Sequence, residues 1–207
     1  MLYNLLSPLA QDFGPLNLFR YLTFRTGGAV VTALIISFLI GPQLIEWLRH
    51  QQKGGQPIRT DGPVDHIIRK KGTPTMGGFL ILIALTSSTI LWADITSGYV
   101  WAVLLVTVGF GAIGAIDDYL KLTRRSSKGL PGRIKLLGEV IVGAAAAIWI
   151  MSFASPLLAT SLTVPFVKGL LVDLGIFFLP FAVFVMVGTS NAVNLTDGLD
   201  EIGRAHV

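Results

Sequence analysis

Asn191, Asn194, Asp197 and Asp200 stand three residues apart at the end of the last long apolar run of this chain. Earlier, the apolar run from Val100 to Ile116 passes directly into Asp117 and Asp118. Ionisable side chains next to membrane spans lean towards function, because each must find a partner. Adjacent carboxylates are hard oxygen donors, and with phosphate oxygens they are the usual ligands of Mg²⁺. If the helix ends at this doublet, its negative dipole end makes a cation there still more favourable. The plainer alternative is that the doublet marks where the helix leaves the membrane for water. Asn191 and Asn194 would share a helix face, ready to hydrogen-bond a polar ligand or a neighbouring helix. Asp197-Gly198 predicts that the helix ends there and turns.

A third stretch, Lys70-Lys71-Gly72-Thr73-Pro74-Thr75-Met76-Gly77-Gly78, offers charge and hydroxyls to phosphate and glycines for close backbone approach. It reads equally as a snorkelling anchor before a helix, with Thr73 as N-cap and Pro74 at the first helical position. Two acidic clusters and two lysine-bearing loops on one face favour a phosphate-plus-metal site over independent accidents. His50 and His66 are lone loop histidines, better suited to solvation or loop hydrogen bonds than to metal. Gly111 with Ala115, and Gly143 with Ala147, suit close helix packing.

The elements that must position these groups are membrane helices. Of 207 residues, 52% are hydrophobic and 14% charged, with mean hydropathy +0.69, outside the habit of soluble domains. The expected fold is all-α and polytopic. A span needs about 20 mostly apolar residues, and five segments qualify or nearly do: 27–48, 76–95, 100–116, 136–153 and 174–187. The stretch from Ser155 to Lys168 reads as a loop with room for a short hairpin. With no cysteine, a disulfide framework, a thiolate zinc site and a cysteine nucleophile are excluded.

The net charge of +4 is not a nucleic-acid signature, because twelve of the sixteen Lys and Arg residues fall between Arg49 and Lys71 or between Lys121 and Lys135. Clusters of this kind mark cytoplasmic loops and anionic lipid contacts. They predict an N-terminus outside, with both basic loops and the Asn191–Asp200 string in the cytoplasm. The first twenty residues lack the basic start and apolar core of a signal peptide. The last seven residues, 201–207, are read as adapter-derived sequence that neither continues the preceding helix nor starts another.

Pro57-Ile-Arg-Thr-Asp-Gly-Pro63, Lys70, Gly72-Thr-Pro-Thr-Met-Gly-Gly78, Asp117-Asp118 and Asn191-x-x-Asn-x-x-Asp-Gly-x-Asp200 occur in that order. From about Phe19 to Asp200 the chain resembles the polyprenyl-phosphate N-acetylhexosamine-1-phosphate transferase superfamily (glycosyltransferase family 4). The Gly72–Gly78 loop points to the phospho-N-acetylmuramoyl-pentapeptide transferase branch. The resemblance implies a ten-helix fold, of which 1–200 would be the N-terminal half with five helices. It implies transfer of a phospho-sugar-pentapeptide from UDP-N-acetylmuramoyl-pentapeptide to undecaprenyl phosphate at the inner bacterial membrane, giving lipid I and UMP.

The same resemblance implies Mg²⁺ as cofactor, held by Asp117 and Asp118 as the catalytic pair. Lys70 and Thr75 would lie by the diphosphate, and Asn191, Asn194 and Asp197 would line the site. Gly198, Leu199 and Asp200 would border the uridine pocket, with Lys121 and Arg133 near the phosphate. Whether Asp117 acts as base or nucleophile stays open. A third aspartate and a histidine-rich loop would follow Asp200, so the 207 residues alone are expected to be inactive. A homodimer is a family expectation that nothing in the five spans encodes. Two rivals are a sister transferase using UDP-N-acetylglucosamine and a non-catalytic scaffold or transporter, the latter predicting carboxylates near the bilayer midplane.

Overall fold

A computed structural model describes residues 1–52, 76–124, 129–164, 166–167 and 169–203, with side chains as far as Asn194. After a short helix α1 (Leu2–Leu6) and two 3₁₀ turns come five longer helices: α2 (Leu22–Gln51), α3 (Gly78–Trp92), α4 (Gly98–Arg124), α5 (Gly132–Phe153) and α6 (Phe178–Gly203). Each contains one of the five predicted apolar segments or most of it. Four have the length and hydropathy to cross a membrane, and α3, with 15 residues, is shorter. The fold is the expected all-helical, polytopic one. Among the described residues the one sheet is a small antiparallel hairpin, β1 (Ser161–Thr163) with β2 (Leu171–Asp173), Ser161 standing opposite Asp173. That hairpin belongs to the loop predicted between the last two spans, although its second strand lies beyond Lys168.

The helix limits correct several expectations. Helix α4 does not stop at Ile116 but runs on to Arg124, because Asp117 and Asp118 lie four and three residues before Lys121 and pair with it across one turn. The doublet therefore lies inside a helix, and the argument from the negative dipole end does not apply to it. Helix α3 starts at Gly78, not at Met76, whose φ of 72° is left-handed. The residue preceding α3 is Gly77, and the expected cap at Thr73 and Pro74 lies outside the described residues. Helix α6 passes through Asp197-Gly198 and on to Gly203, so the expected turn there, and the expected break before residue 201, are both overturned. A glycine inside a helix costs only about 1 kcal/mol, and continuing a formed helix costs little more.

Small residues hold the bundle together, as they do where lipid removes any hydrophobic drive between helices. A Cβ on Gly28 would strike the Trp92 ring, and one on Gly41 would meet Leu80 at 3.4 Å, so α2 and α3 run antiparallel. Gly111 of α4 packs on Leu82 of α3. Gly98 against Phe153, Gly109 against Val142 and Gly138 against Ile113 zip α4 to α5, again antiparallel. Gly143 admits Met186 and Val183 of α6. The buried apolar side chains are mostly small, among them Ala84, Ala102, Ala146 and Ala147, while Phe38 and Phe184 are exposed.

The N-terminal segment is tied to one end of this bundle. The Met1 ammonium donates to the carbonyls of Ile90 (2.9 Å) and Ala93 (2.8 Å). Asn4 donates to Asp94 and accepts from the Ile95 amide. Arg25 lies 4.3 Å over the Tyr3 ring, a cation–π contact. Asp94 also accepts from the Thr96 hydroxyl and amide, and these hydrogen bonds, the hydroxyl and Asn4 foremost, hold its carboxyl below the usual range. The opposite end gathers the C-terminus of α4, the N-termini of α3 and α5, and the last turns of α6.

Candidate active site

At that opposite end lies a cleft of about 410 Å³. Its floor comes from the start of α3 (Met76, Gly78, Phe79) and the small residues Gly111, Gly114 and Ala115 of α4. Its polar groups are Asp117, Asp118 and Lys121 of α4, Lys135 of α5 and Asn194 of α6. Four elements thus bring residues from across the sequence to one place. The glycines and alanine of α4 matter here as absences of side chain, leaving room beside the carboxylates.

Lys121 bridges the acidic pair, with Nζ 2.6 Å from Asp117 Oδ2 and 3.1 Å from Asp118 Oδ1. Asp117 is fixed from the other side by the Leu130 amide, which donates to Oδ1 at 2.6 Å. That amide arrives through Gly129, whose φ of 50° is left-handed; a Cβ there would collide with Asp117 Oδ1 and press on Lys121 Cε. Both oxygens of Asp117 therefore have a protein partner, one a cation and one an amide. Such a carboxylate is held in a single orientation. Met76, which also lines the cleft, carries the left-handed backbone that turns the chain into α3.

The predicted residues divide three ways. Asp117, Asp118, Lys121 and Asn194 converge on the cleft. Arg133 is exposed at the start of α5 and does not line it. Asn191 faces α5 instead: its Nδ2 donates to Glu139 and to the Val187 carbonyl. Lys70 and Thr75 fall outside the described residues. Asp197, Gly198, Leu199 and Asp200 lie on the helical backbone of α6, past the last described side chain.

Sequence reasoning overlooked Glu139, although an ionisable residue within a predicted span is itself a signal. It also treated Lys135 as topology alone and gave Gly129 no part. The donor set fits Mg²⁺ in kind, being hard carboxylate oxygen. Among the described residues no three of His, Cys, Asp and Glu gather, and Mg²⁺ is commonly held by one or two carboxylates with substrate phosphates and water.

The acidic pair and two lysines thus sit together at one end of a polytopic helical bundle, and residues 100–205 match Glycosyl transferase family 4, to which the chain belongs. Among its relatives is the phospho-N-acetylmuramoyl-pentapeptide-transferase of Granulibacter bethesdensis, 60% identical over 200 residues, covering 97% of this chain and 55% of that protein. The protein of the same name from Maricaulis maris is 52% identical over 205 residues, covering 97% of this chain and 56% of its own. The chain spans about half the length of the curated relatives it matches.

Proposed function

We propose that this chain supplies the acidic pair and part of the substrate cleft of an enzyme that moves phospho-N-acetylmuramoyl-pentapeptide from its UDP carrier to undecaprenyl phosphate, releasing UMP and forming lipid I. The observation that carries this reading is the convergence of Asp117, Asp118, Lys121, Lys135 and Asn194 on one cleft at a bundle end. A cleft at the membrane surface can meet a soluble nucleotide and a lipid phosphate together. The names of its relatives support the same substrates.

Phosphoryl transfer asks for charge neutralisation and alignment more than for covalent chemistry by the protein. Lys121 and Lys135 bring positive charge to the phosphates. Asp117, oriented by Lys121 and the Leu130 amide, is the group placed to take a proton from the lipid phosphate or to attack the diphosphate. Asn194 offers an amide on the far wall. Mg²⁺ is the proposed cofactor, with Asp117 and Asp118 as its protein ligands; bound there it would offset the charge of the diphosphate and of the leaving UMP. The basic clusters Arg49 to Lys71 and Lys121 to Lys135 in the sequence support a cytoplasmic cleft with the N-terminal clasp outside, in the inner bacterial membrane.

The test is transfer of labelled UDP-N-acetylmuramoyl-pentapeptide to undecaprenyl phosphate by the full-length protein, with and without Asp117→Asn. Loss of about a thousandfold in kcat is expected, the scale of a removed acid–base group. Unchanged lipid-linked product in the variant, or product from UDP-N-acetylglucosamine alone, overturns the reading.

A further inference from the structure

Glu139 is 3% exposed, the most deeply buried ionisable side chain among the described residues, and it does not line the cleft. It lies two turns into α5 and faces α6, where its Oε2 accepts a hydrogen bond from Asn191 Nδ2. The same amide nitrogen donates to the Val187 carbonyl at 2.9 Å, one turn back on its own helix. A buried carboxylate in a membrane bundle is costly and persists where its pairing has a use. The neighbouring seam is smooth: a Cβ built on Gly143 of α5 would have Met186 and Val183 as its nearest neighbours, at 3.5 Å or more. Such a surface lets helices approach closely but does little to fix rotation or depth. Glu139 with Asn191 adds a directional contact to it.

What that contact governs follows from helix geometry. Asn194 comes three residues after Asn191, about 4.5 Å further along the axis, and lines the cleft together with Asp117 and Asp118. A slip of α6 by one residue would turn it by about 100° and carry Asn194 off the cleft wall. We infer that Glu139 is a positioning residue: through Asn191 it sets the rotation and depth of α6, and so holds Asn194 and the helix beyond it against the acidic pair of α4. Its catalytic meaning rests on the transferase reading; its geometry does not.

These 207 residues have no cysteine; with any cysteine elsewhere in the full-length protein replaced by serine, Gly114→Cys with Asn194→Cys gives a clean pair across the cleft, cross-linked by a short bis-maleimide in membranes. Glu139→Gln, which keeps an oxygen acceptor, should cross-link like the parent. Glu139→Leu should slow cross-linking about five- to tenfold, the scale of an interhelical hydrogen bond in a membrane. Asn191→Leu should do the same, and the two together should do no worse than either. Asn191→Asp sets two carboxylates face to face and should also slow it; adding Glu139→Gln to that variant restores an amide–carboxylate pair and should recover the parental rate. Parental cross-linking by Glu139→Leu, or no recovery in the exchanged pair, overturns the inference. If Glu139→Leu does not accumulate in the membrane, the exchanged pair decides. Cross-linking that follows these rules, when the full-length protein with Gly114 and Asn194 intact transfers no phospho-sugar, would sink the transferase reading and leave the positioning role standing.

Discussion

Lys121 Nζ lies 2.6 Å from Asp117 Oδ2, one helical turn away on α4, and reaches Asp118 as well. The positive charge that two adjacent carboxylates require is thus already built into the helix that carries them. A divalent cation arriving at the pair must share it with, or displace, this ammonium.

Lys121→Met should therefore have two opposed effects in the full-length protein. Less Mg²⁺ should be needed for half-maximal activity, because the competing cation is gone. At saturating Mg²⁺, kcat should fall on the order of a hundredfold, the cost of one charged contact to a developing anion. A Mg²⁺ titration of initial rates measures both, and an unchanged half-saturation point would show that lysine and metal do not compete.

Gly129→Ala should cost about 1–2 kcal/mol for the left-handed backbone alone. The added Cβ also collides with the Asp117 carboxylate, so the Leu130 amide must move away. Thermal unfolding in detergent should report the first effect and a lowered kcat the second. A variant with parental values for both would show that this turn does not hold Asp117.

Two glycines of the helix seams should respond in opposite ways. At Gly111 a new side chain runs into Leu82, so Gly111→Val should destabilise by about 1–3 kcal/mol through overpacking. At Gly143 the nearest atom is Met186 Cε at 3.5 Å, which is ordinary contact. Gly143→Ala should then stabilise by up to about 1 kcal/mol from helix propensity. Denaturation of the two variants side by side checks the contrast.

The N-terminal clasp should loosen in acid. Asp94 is held ionised by the Thr96 hydroxyl, Asn4 and the Thr96 amide, so its folded pKa lies below its unfolded value. Its contribution is complete above about pH 4, the ordinary carboxyl range, and is lost as pH falls through the lowered folded value. Hydrogen exchange over residues 1–20 should accelerate below that pH, and Asp94→Asn should flatten the response.

All five long helices were legible in the sequence because apolar runs of span length leave few alternatives. Their ends were less so. Hydropathy stops at Ile116, yet hydrogen bonding and the Lys121 pairs carry α4 to Arg124; nothing in an apolar count registers an ion pair one turn ahead. Asp117, Asp118 and Asn194 could be named in advance since they stand at the edges of apolar runs, whereas Lys121 came only with the family resemblance. Asn191 was misplaced for a physical reason: a three-residue step turns about 300° around a helix, enough to give it a different neighbour from Asn194. Glu139 was hidden because a lone acid inside a span has no motif around it, and its partner lies 52 residues away.

The antiparallel zippering of α2 with α3, α4 with α5 and α5 with α6 also bears on how the protein is made. Each long helix finds a partner in the segment synthesised just before it, so pairing needs few distant encounters and can follow insertion helix by helix. By that order the acidic pair and Lys121 are in the membrane and joined before α6 has left the ribosome. Of the cleft residues described, Asn194 is made last and joins a charged wall that is already standing.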